Sequence, residues 1–175
     1  HPSGTDRIAE AIEGLEAEIV LNIQGDEPLI SPALIDEIAD VMASDLSWDM
    51  ATAVTPITRE SEVTSPSVVK CVWAADGAAM YFSRSPIPHV RDADIRPGTS
   101  PHWRHLGIYA YRREFLTRLV ESKPCLLEEA EKLEQLRALY MGGRIRVIQT
   151  QEQGIGVDTP EDVDYVESLL SRGAS

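Results

Sequence analysis

The chain is poor in cysteine, in positive charge and in long apolar runs, and each shortage closes off a class of function. Cys71 and Cys125 are its only cysteines, with no Cys-x-x-Cys spacing, so they read as two reduced structural thiols. Sixteen Lys and Arg face 29 Asp and Glu, a net charge of -13. That balance argues against a binder of nucleic acid or of an anionic membrane, which needs clustered cations. A free nucleotide stays compatible, because a metal or a few local cations outweigh the average field. No apolar run is long enough to span a bilayer and no basic-then-apolar leader precedes the first helix, so a cytoplasmic location is expected. Gly-x-Gly-x-x-Gly, a Walker loop, internal repeats and low-complexity tracts are all missing. So is an initiator Met: His1-Pro2-Ser3-Gly4-Thr5 reads as the middle of a longer sequence.

What is present suits one α/β domain. With 43% hydrophobic residues in 175, the chain can bury a real core. The stretch from Glu18 to Pro28 organises it. Ile19, Val20, Leu21 and Ile23 form an apolar run that suits a strand covered on both faces, as in a parallel sheet. It ends at Gln24-Gly25-Asp26-Glu27-Pro28, where Gly25 permits close backbone approach and Pro28 stops the ladder. Ligands of open α/β sheets sit at such strand ends, so Asp26 is placed to handle a metal or a phosphate; an ordinary acidic loop is the alternative. Ahead of it, Ser3-Gly4-Thr5-Asp6 offers N-cap groups to a helix from about Asp6 with Ile8, Ala11, Ile12 and Leu15 on one stripe, and the free N–H groups of its first turn favour an anion or polar ligand atoms. After it, Ser31-Pro32 reads as N-cap and first-turn proline of a helix whose stripe is Leu34, Ile35, Ile38, Val41 and Met42.

Further on, Asp49 to Ile57 is a candidate strand, Arg59 to Pro66 a polar connection, and Ser67 to Trp73 with Ala78 to Arg84 a hairpin turned at Asp76-Gly77. Antiparallel strands beside β-α units imply a mixed sheet. The Pro-rich segment at about 85–103 reads as a protruding arm, for subunit contact or as a lid. Arg104 to Tyr111 alternates, with His105, Gly107, Tyr109 and Tyr111 on one face and Leu106, Ile108 and Ala110 on the other. His102 and His105, three apart on extended chain, point to opposite faces, which disfavours a metal pair. A short helix with Phe115, Leu116, Leu119 and Val120 follows. A longer one from about Leu126 is expected to turn Leu127, Ala130, Leu133, Leu136 and Tyr140 inward and to close at Gly142-Gly143, leaving Glu134 and Gln135 on a solvated flank. Ile145 to Gln149 is the last strand. Asp158 then precedes a helix start at Thr159-Pro160, with Val163, Val166, Leu169 and Leu170 as its stripe. Asp158 reads either as a capping acid of that helix or, with Asp26, as a carboxylate of one shared divalent-cation site, whose oxygen ligands would suit Mg²⁺ with nucleotide phosphates.

Six motifs in order, His1-Pro2-Ser3-Gly4-Thr5-Asp6-Arg7, Gln24-Gly25-Asp26-Glu27-Pro28, Tyr81-Phe82-Ser83-Arg84, Arg104-His105-Leu106-Gly107-Ile108-Tyr109, Leu133-Glu134-Gln135-Leu136-Arg137 and Gly156-Val157-Asp158-Thr159-Pro160-Glu161-Asp162, closely resemble the 3-deoxy-D-manno-octulosonate (KDO) cytidylyltransferases. The resemblance implies a three-layer α/β/α nucleotidyltransferase fold and a reaction in which CTP and KDO give CMP-KDO and pyrophosphate for lipopolysaccharide synthesis. It implies in-line attack of the sugar's anomeric hydroxyl on the α-phosphorus, with Mg²⁺ and no covalent enzyme intermediate. By the same resemblance Asp26 and Asp158 are the catalytic metal carboxylates. Ser3, Gly4, Gln24 and Asp26 serve the nucleotide, and Gln24, Arg84, His105, Tyr109, Glu134 and Gln135 surround KDO. A homodimer is implied as well.

The likeness departs at the start, where the family's first strand, its Pro-Ala-Arg turn and its basic phosphate loop have no counterpart. The chain is therefore expected to be one nucleotidyltransferase domain, incomplete at its N-terminus and with little activity alone. Transfer to another sugar acid, such as 8-amino KDO or a sialic acid, and a non-catalytic sugar-binding or dimerisation module are the competing readings.

Overall fold

The structure is a computed structural model that describes residues 4–24, 30–91 and 101–152. The first helix, α1, covers Gly4–Ala11, and the chain leaves it through Gly14 at φ +79, a left-handed conformation that costs a Cβ-bearing residue energy. Leu15, expected on the helix stripe, therefore lies beyond it and is exposed. β1 is Ile19–Ile23. Then α2, Pro32–Ser44, starts as expected: Ser31 caps it by accepting from the Leu34 N–H at 3.2 Å, with proline in the first turn. β2, Met50–Pro56, is buried along nearly its whole length. The polar connection after it contains one helical turn, α3, Glu60–Thr64.

The hairpin is β3, Lys70–Trp73, and β4, Ala79–Ser83, with Gly77 of its turn at φ +85. β5, Trp103–Arg112, is twice the length of most of the others. It is followed by α4, Arg113–Glu121, which buries Phe115, Leu116 and Leu119. Here the structure corrects the sequence reading. The single long helix expected from Leu126 is two short ones, α5 at Leu126–Glu131 and α6 at Gln135–Tyr140. Lys132 breaks it with φ 55 and ψ 48. The break rotates the stripe, so Leu133 and Leu136 are buried while Leu127, Ala130 and Tyr140 are exposed. β6, Ile145–Gln149, closes the described order.

The sheet runs β4-β3-β5-β2-β6, with β1 also on β5. β5 pairs antiparallel with β2 on one side, and on the other with β1 through 108–112 and with β3 at Arg104. β2 and β6 are parallel, which makes the sheet mixed as expected. The both-faces-covered parallel strand read at β1 is instead an antiparallel partner of β5, with half-buried residues and an exposed Ile23 at its end. Side chains alternate into two cores. Leu34, Ile38, Met42, Ala51, Ala53, Leu106, Ile108 and Ala110 pack under α2. Met50, Val54, Phe82, Tyr109, Tyr111, Phe115, Leu116 and Leu136 pack on the other face, with Ile8 of α1 and Ile12 just past it against them. The result is the three-layer α/β/α arrangement.

Two consecutive arginines at the junction of β5 and α4 lock the layers. Arg112 donates to the Met42 and Asp45 carbonyls at 2.6 and 2.8 Å, at the C-terminal end of α2. Arg113 donates to the Ile12 and Leu15 carbonyls just past α1. Side-chain cations there satisfy carbonyls that have no partner within the helix.

Candidate functional site

Both β1 and β2 run antiparallel to β5, so β2 ends against the start of β5 at Trp103 and β1 ends against its middle at Ile108. Gln24 leaves β1 one residue past the Ile23 and Ile108 pair, and its side chain lies over Gly107. A Cβ at 107 would sit 3.0 Å from Gln24 Oε1. A larger side chain there would press on the Gln24 amide and oblige it to shift by a few tenths of an ångström. Period two then sets His105, Tyr109 and Tyr111 in a row on that face, with ring centroids 5.2 Å apart between His105 and Tyr109 and 5.9 Å between Tyr109 and Tyr111. Phe82 of β4 meets the His105 ring edge-on at 5.1 Å.

Burial decides the protonation of this row. It pulls His105 down to about 3, so the imidazole is neutral at physiological pH. It also raises both tyrosines, with each other's charge, Glu134 and Cys71 adding to the effect on Tyr109, so their phenols stay protonated and can donate.

The break between α5 and α6 supplies the other wall. Glu134 accepts from the Thr5 N–H at 3.3 Å and, by a short contact, from the Thr5 hydroxyl, which places its carboxylate on the first turn of α1. Negative charge is favoured there by the helix end. Gln135, expected on a solvated flank, is 5% exposed, and its Nε2 has no hydrogen-bond partner among the described residues. A buried amide without a partner is costly unless a ligand or water completes it. Two residues on, buried Arg137 meets Glu128 at 3.1 Å without hydrogen-bond alignment and donates to the Ser122 carbonyl at 3.0 Å. That joins α6 to α5 and to the end of α4.

Arg84 belongs to the same break. Its Nε donates to the Glu131 carbonyl at 2.7 Å, Nη1 to Pro66 O at 2.8 Å and Nη2 to Lys132 O at 3.5 Å. Of five guanidinium N–H groups, three serve main chain and the other two meet no acceptor among the described residues. The Glu131 carboxylate holds the strand end, accepting from Ser83 Oγ at 2.6 Å and the Arg84 N–H at 2.9 Å. Beneath it Lys70 is fully buried, its ammonium donating to Ser65 O at 2.9 Å, Val68 O at 2.6 Å and, more closely, Arg84 O. Desolvation lowers its pKa, opposed by Glu131. Sequence reasoning missed Lys70 and Glu131, and read Thr5 only as one of the capping groups of the first helix. Lys70 left a trace, as a lone cation in the apolar run Val69-Lys70-Cys71-Val72.

The structure thus gathers Gln24, His105, Tyr109 and Glu134 around one face, with Gln135 beside Glu134 and Arg84 tied to the segment that carries both. Gly4 opens α1 close by, next to Thr5. Ser3, Asp26 and Asp158, and with them the metal pair, lie outside the described residues, as does 92–100 of the arm. Among the described residues no group of three His, Cys, Asp or Glu side chains could hold an ion.

Residues 1–146 match the model of a family described as cytidylyltransferase. The 3-deoxy-manno-octulosonate cytidylyltransferase of Geotalea daltonii is 48% identical over 181 residues, covering 99% of this chain and 72% of its own. That of Polynucleobacter necessarius is 49% identical over 176 residues, covering 98% and 69%. The chain belongs to the 3-deoxy-manno-octulosonate cytidylyltransferases. A solved CMP:2-keto-3-deoxy-manno-octonic acid synthetase, complexed with CTP, superposes with a TM-score of 0.91 at 39% identity, over 99% of this chain and 70% of that one. The fold alone is shared with 4-diphosphocytidyl-2C-methyl-D-erythritol synthase from Anaerococcus prevotii, at a TM-score of 0.59 and 14% identity. The gathered face carries neutral donors and acceptors at its centre, with the Glu134 carboxylate beside them.

Proposed function

We propose that this chain is the sugar-acid-binding part, and most of the catalytic domain, of an enzyme that transfers CMP from CTP to KDO in lipopolysaccharide synthesis. The observation that carries the reading is the convergence of Gln24, His105, Tyr109, Glu134 and the unpartnered Gln135 amide beside the first turn of α1. The anomeric hydroxyl of KDO attacks the α-phosphorus of CTP, a new P–O bond forms, pyrophosphate leaves, and the hydroxyl proton passes to solvent. No protein nucleophile takes part, so the chain's work is positioning and charge.

Tyr109 and Gln135 donate to sugar hydroxyls. Glu134 and His105 accept from them, and the two remaining N–H groups of Arg84 face the sugar carboxylate. Ser3 and Gly4 shape the cytosine side at the opening of α1. Asp26 and Asp158 offer hard oxygen donors of the kind Mg²⁺ prefers, and they would hold it; bound there, the ion neutralises phosphate charge. The enzyme works in the cytoplasm as a homodimer, and the segment at about 85–103 is its contact arm.

The test is turnover. The whole protein with CTP, Mg²⁺ and KDO should give CMP-KDO and pyrophosphate faster than with 8-amino KDO or a sialic acid; faster turnover of either rival acid overturns the assignment.

A further inference from the structure

We infer that Thr52, buried in β2, is a positioning residue that fixes the tautomer of His105 and so makes His105 Nδ1 an acceptor for a sugar hydroxyl. The inference deepens the proposed sugar-acid transfer and rests on it for the identity of the ligand.

The geometry begins with an irregularity. Thr52 pairs with Tyr109 but Ala53 pairs with Leu106, so Gly107 and Ile108 face no residue of β2. The extra residues free carbonyls from the ladder, as bulges do. Thr52 Oγ1, fully buried, lies 2.7 Å from Ile108 O and 3.5 Å from Leu106 O. A hydroxyl has one proton, and the 2.7 Å contact holds it: without a proton between them, two oxygens would oppose lone pairs at that distance. The same Oγ1 lies 2.9 Å from His105 Nε2. Since the hydroxyl has no second proton, it accepts there and Nε2 carries the hydrogen. In a neutral imidazole the other nitrogen then carries none.

The imidazole is held at three places. Phe82 closes on it at 5.1 Å, Tyr109 at 5.2 Å, and Thr52 takes Nε2. Among the described residues no donor reaches Nδ1. Burial keeps the ring neutral, in agreement with this arrangement. His105 therefore reads a ligand O–H as an acceptor, and a sugar that presents only an acceptor at that position is refused. The sequence signal is slight, one threonine in the run Met50-Ala51-Thr52-Ala53-Val54.

Two independent measurements decide it. Nitrogen NMR of the whole protein without substrate should show His105 protonated on Nε2, and Thr52→Val should mix the two tautomers while Thr52→Ser preserves the first. A wild-type spectrum with the hydrogen on Nδ1 overturns the inference whatever the enzyme's substrate. In kinetics, Thr52→Val should raise the KM for KDO about tenfold, the scale of one lost charge-neutral hydrogen bond with its partner left unsatisfied, and leave the KM for CTP unchanged, with Thr52→Ser near wild type. Equal changes in both KM values, or failure of Thr52→Ser to rescue, would show a merely structural threonine. If the spectrum is as stated but KDO is not turned over, the tautomer stands and the sugar assignment falls.

Discussion

The two faces of the sheet are built from the same strands and differ in what they bury. Under α2 lie Leu34, Ile38, Met42, Ala51, Ala53, Leu106, Ile108 and Ala110, an apolar layer whose polar exception is Thr55, a hydroxyl without a partner among the described residues. The opposite face buries Phe82, Leu116 and Leu136 alongside Tyr109, Tyr111, Thr52, Lys70 and Gln135, with His105 half-buried among them. Apolar atoms need only volume, whereas a buried polar atom needs a partner at a set distance. The first face therefore holds the molecule together and the second holds a geometry. Lys70 illustrates the second: its ammonium is satisfied by three carbonyls, one of them Arg84 O, so it fixes the strand end from which Arg84 projects.

Substitutions on each face should separate stability from recognition. The largest effect is expected from Ile38→Ala, which leaves a cavity under α2 where the side chain is fully buried. It should cost about 3 kcal/mol in urea unfolding with the KM for KDO unchanged in the protein that remains folded; a raised KM would mean that the two faces are coupled. Lys70→Met comes next. It keeps the stem but strands three carbonyls, for a loss of about 2 kcal/mol, and here the KM for KDO should rise as well because Arg84 loses its anchor.

Gln135→Leu sharpens the contrast. Removing a buried amide without a partner should leave unfolding midpoints unchanged or raised by about 1 kcal/mol, while turnover falls. A clear loss of stability would show that the amide is already satisfied. A last contrast is in pH. The folded protein holds His105 at about 3 against 6.5 in the unfolded chain, so below 6.5 the unfolded chain takes up a proton that the folded one refuses. The stability that depends on a neutral His105 is complete above pH 6.5 and is lost as pH falls toward 3. His105→Gln should flatten that part of a stability-against-pH curve, and an unaltered slope would show that the ring titrates freely.

Much of the apolar face was legible from local pattern. Ser31-Pro32 and the spacing of Leu34, Ile38 and Met42 gave α2, and the alternation along β5 separated Leu106, Ile108 and Ala110 from His105, Tyr109 and Tyr111 before any coordinates. The helix after Leu126 was misread because heptad-like spacing continued through Lys132, where the chain turns left-handed to deliver Glu134 to Thr5 and Glu131 to Arg84. No window of neighbours reveals such a turn, since the partners are 129 and 47 residues away.

By itself the sequence determined the α/β class, most element positions, the two-sided pattern of β5 and the family, because period, capping residues and ordered motifs are properties of neighbours along the chain. Only the tertiary structure decided that Gln24 lies on Gly107, that Glu134 seats on α1, that the Gln135 amide is buried without a partner and that Thr52 meets His105. The contacts of Gln24 and Thr52 depend on strand register and on a bulge, where a shift of one residue would turn each side chain to the other face, and those of Glu134 and Gln135 depend on the left-handed turn at Lys132.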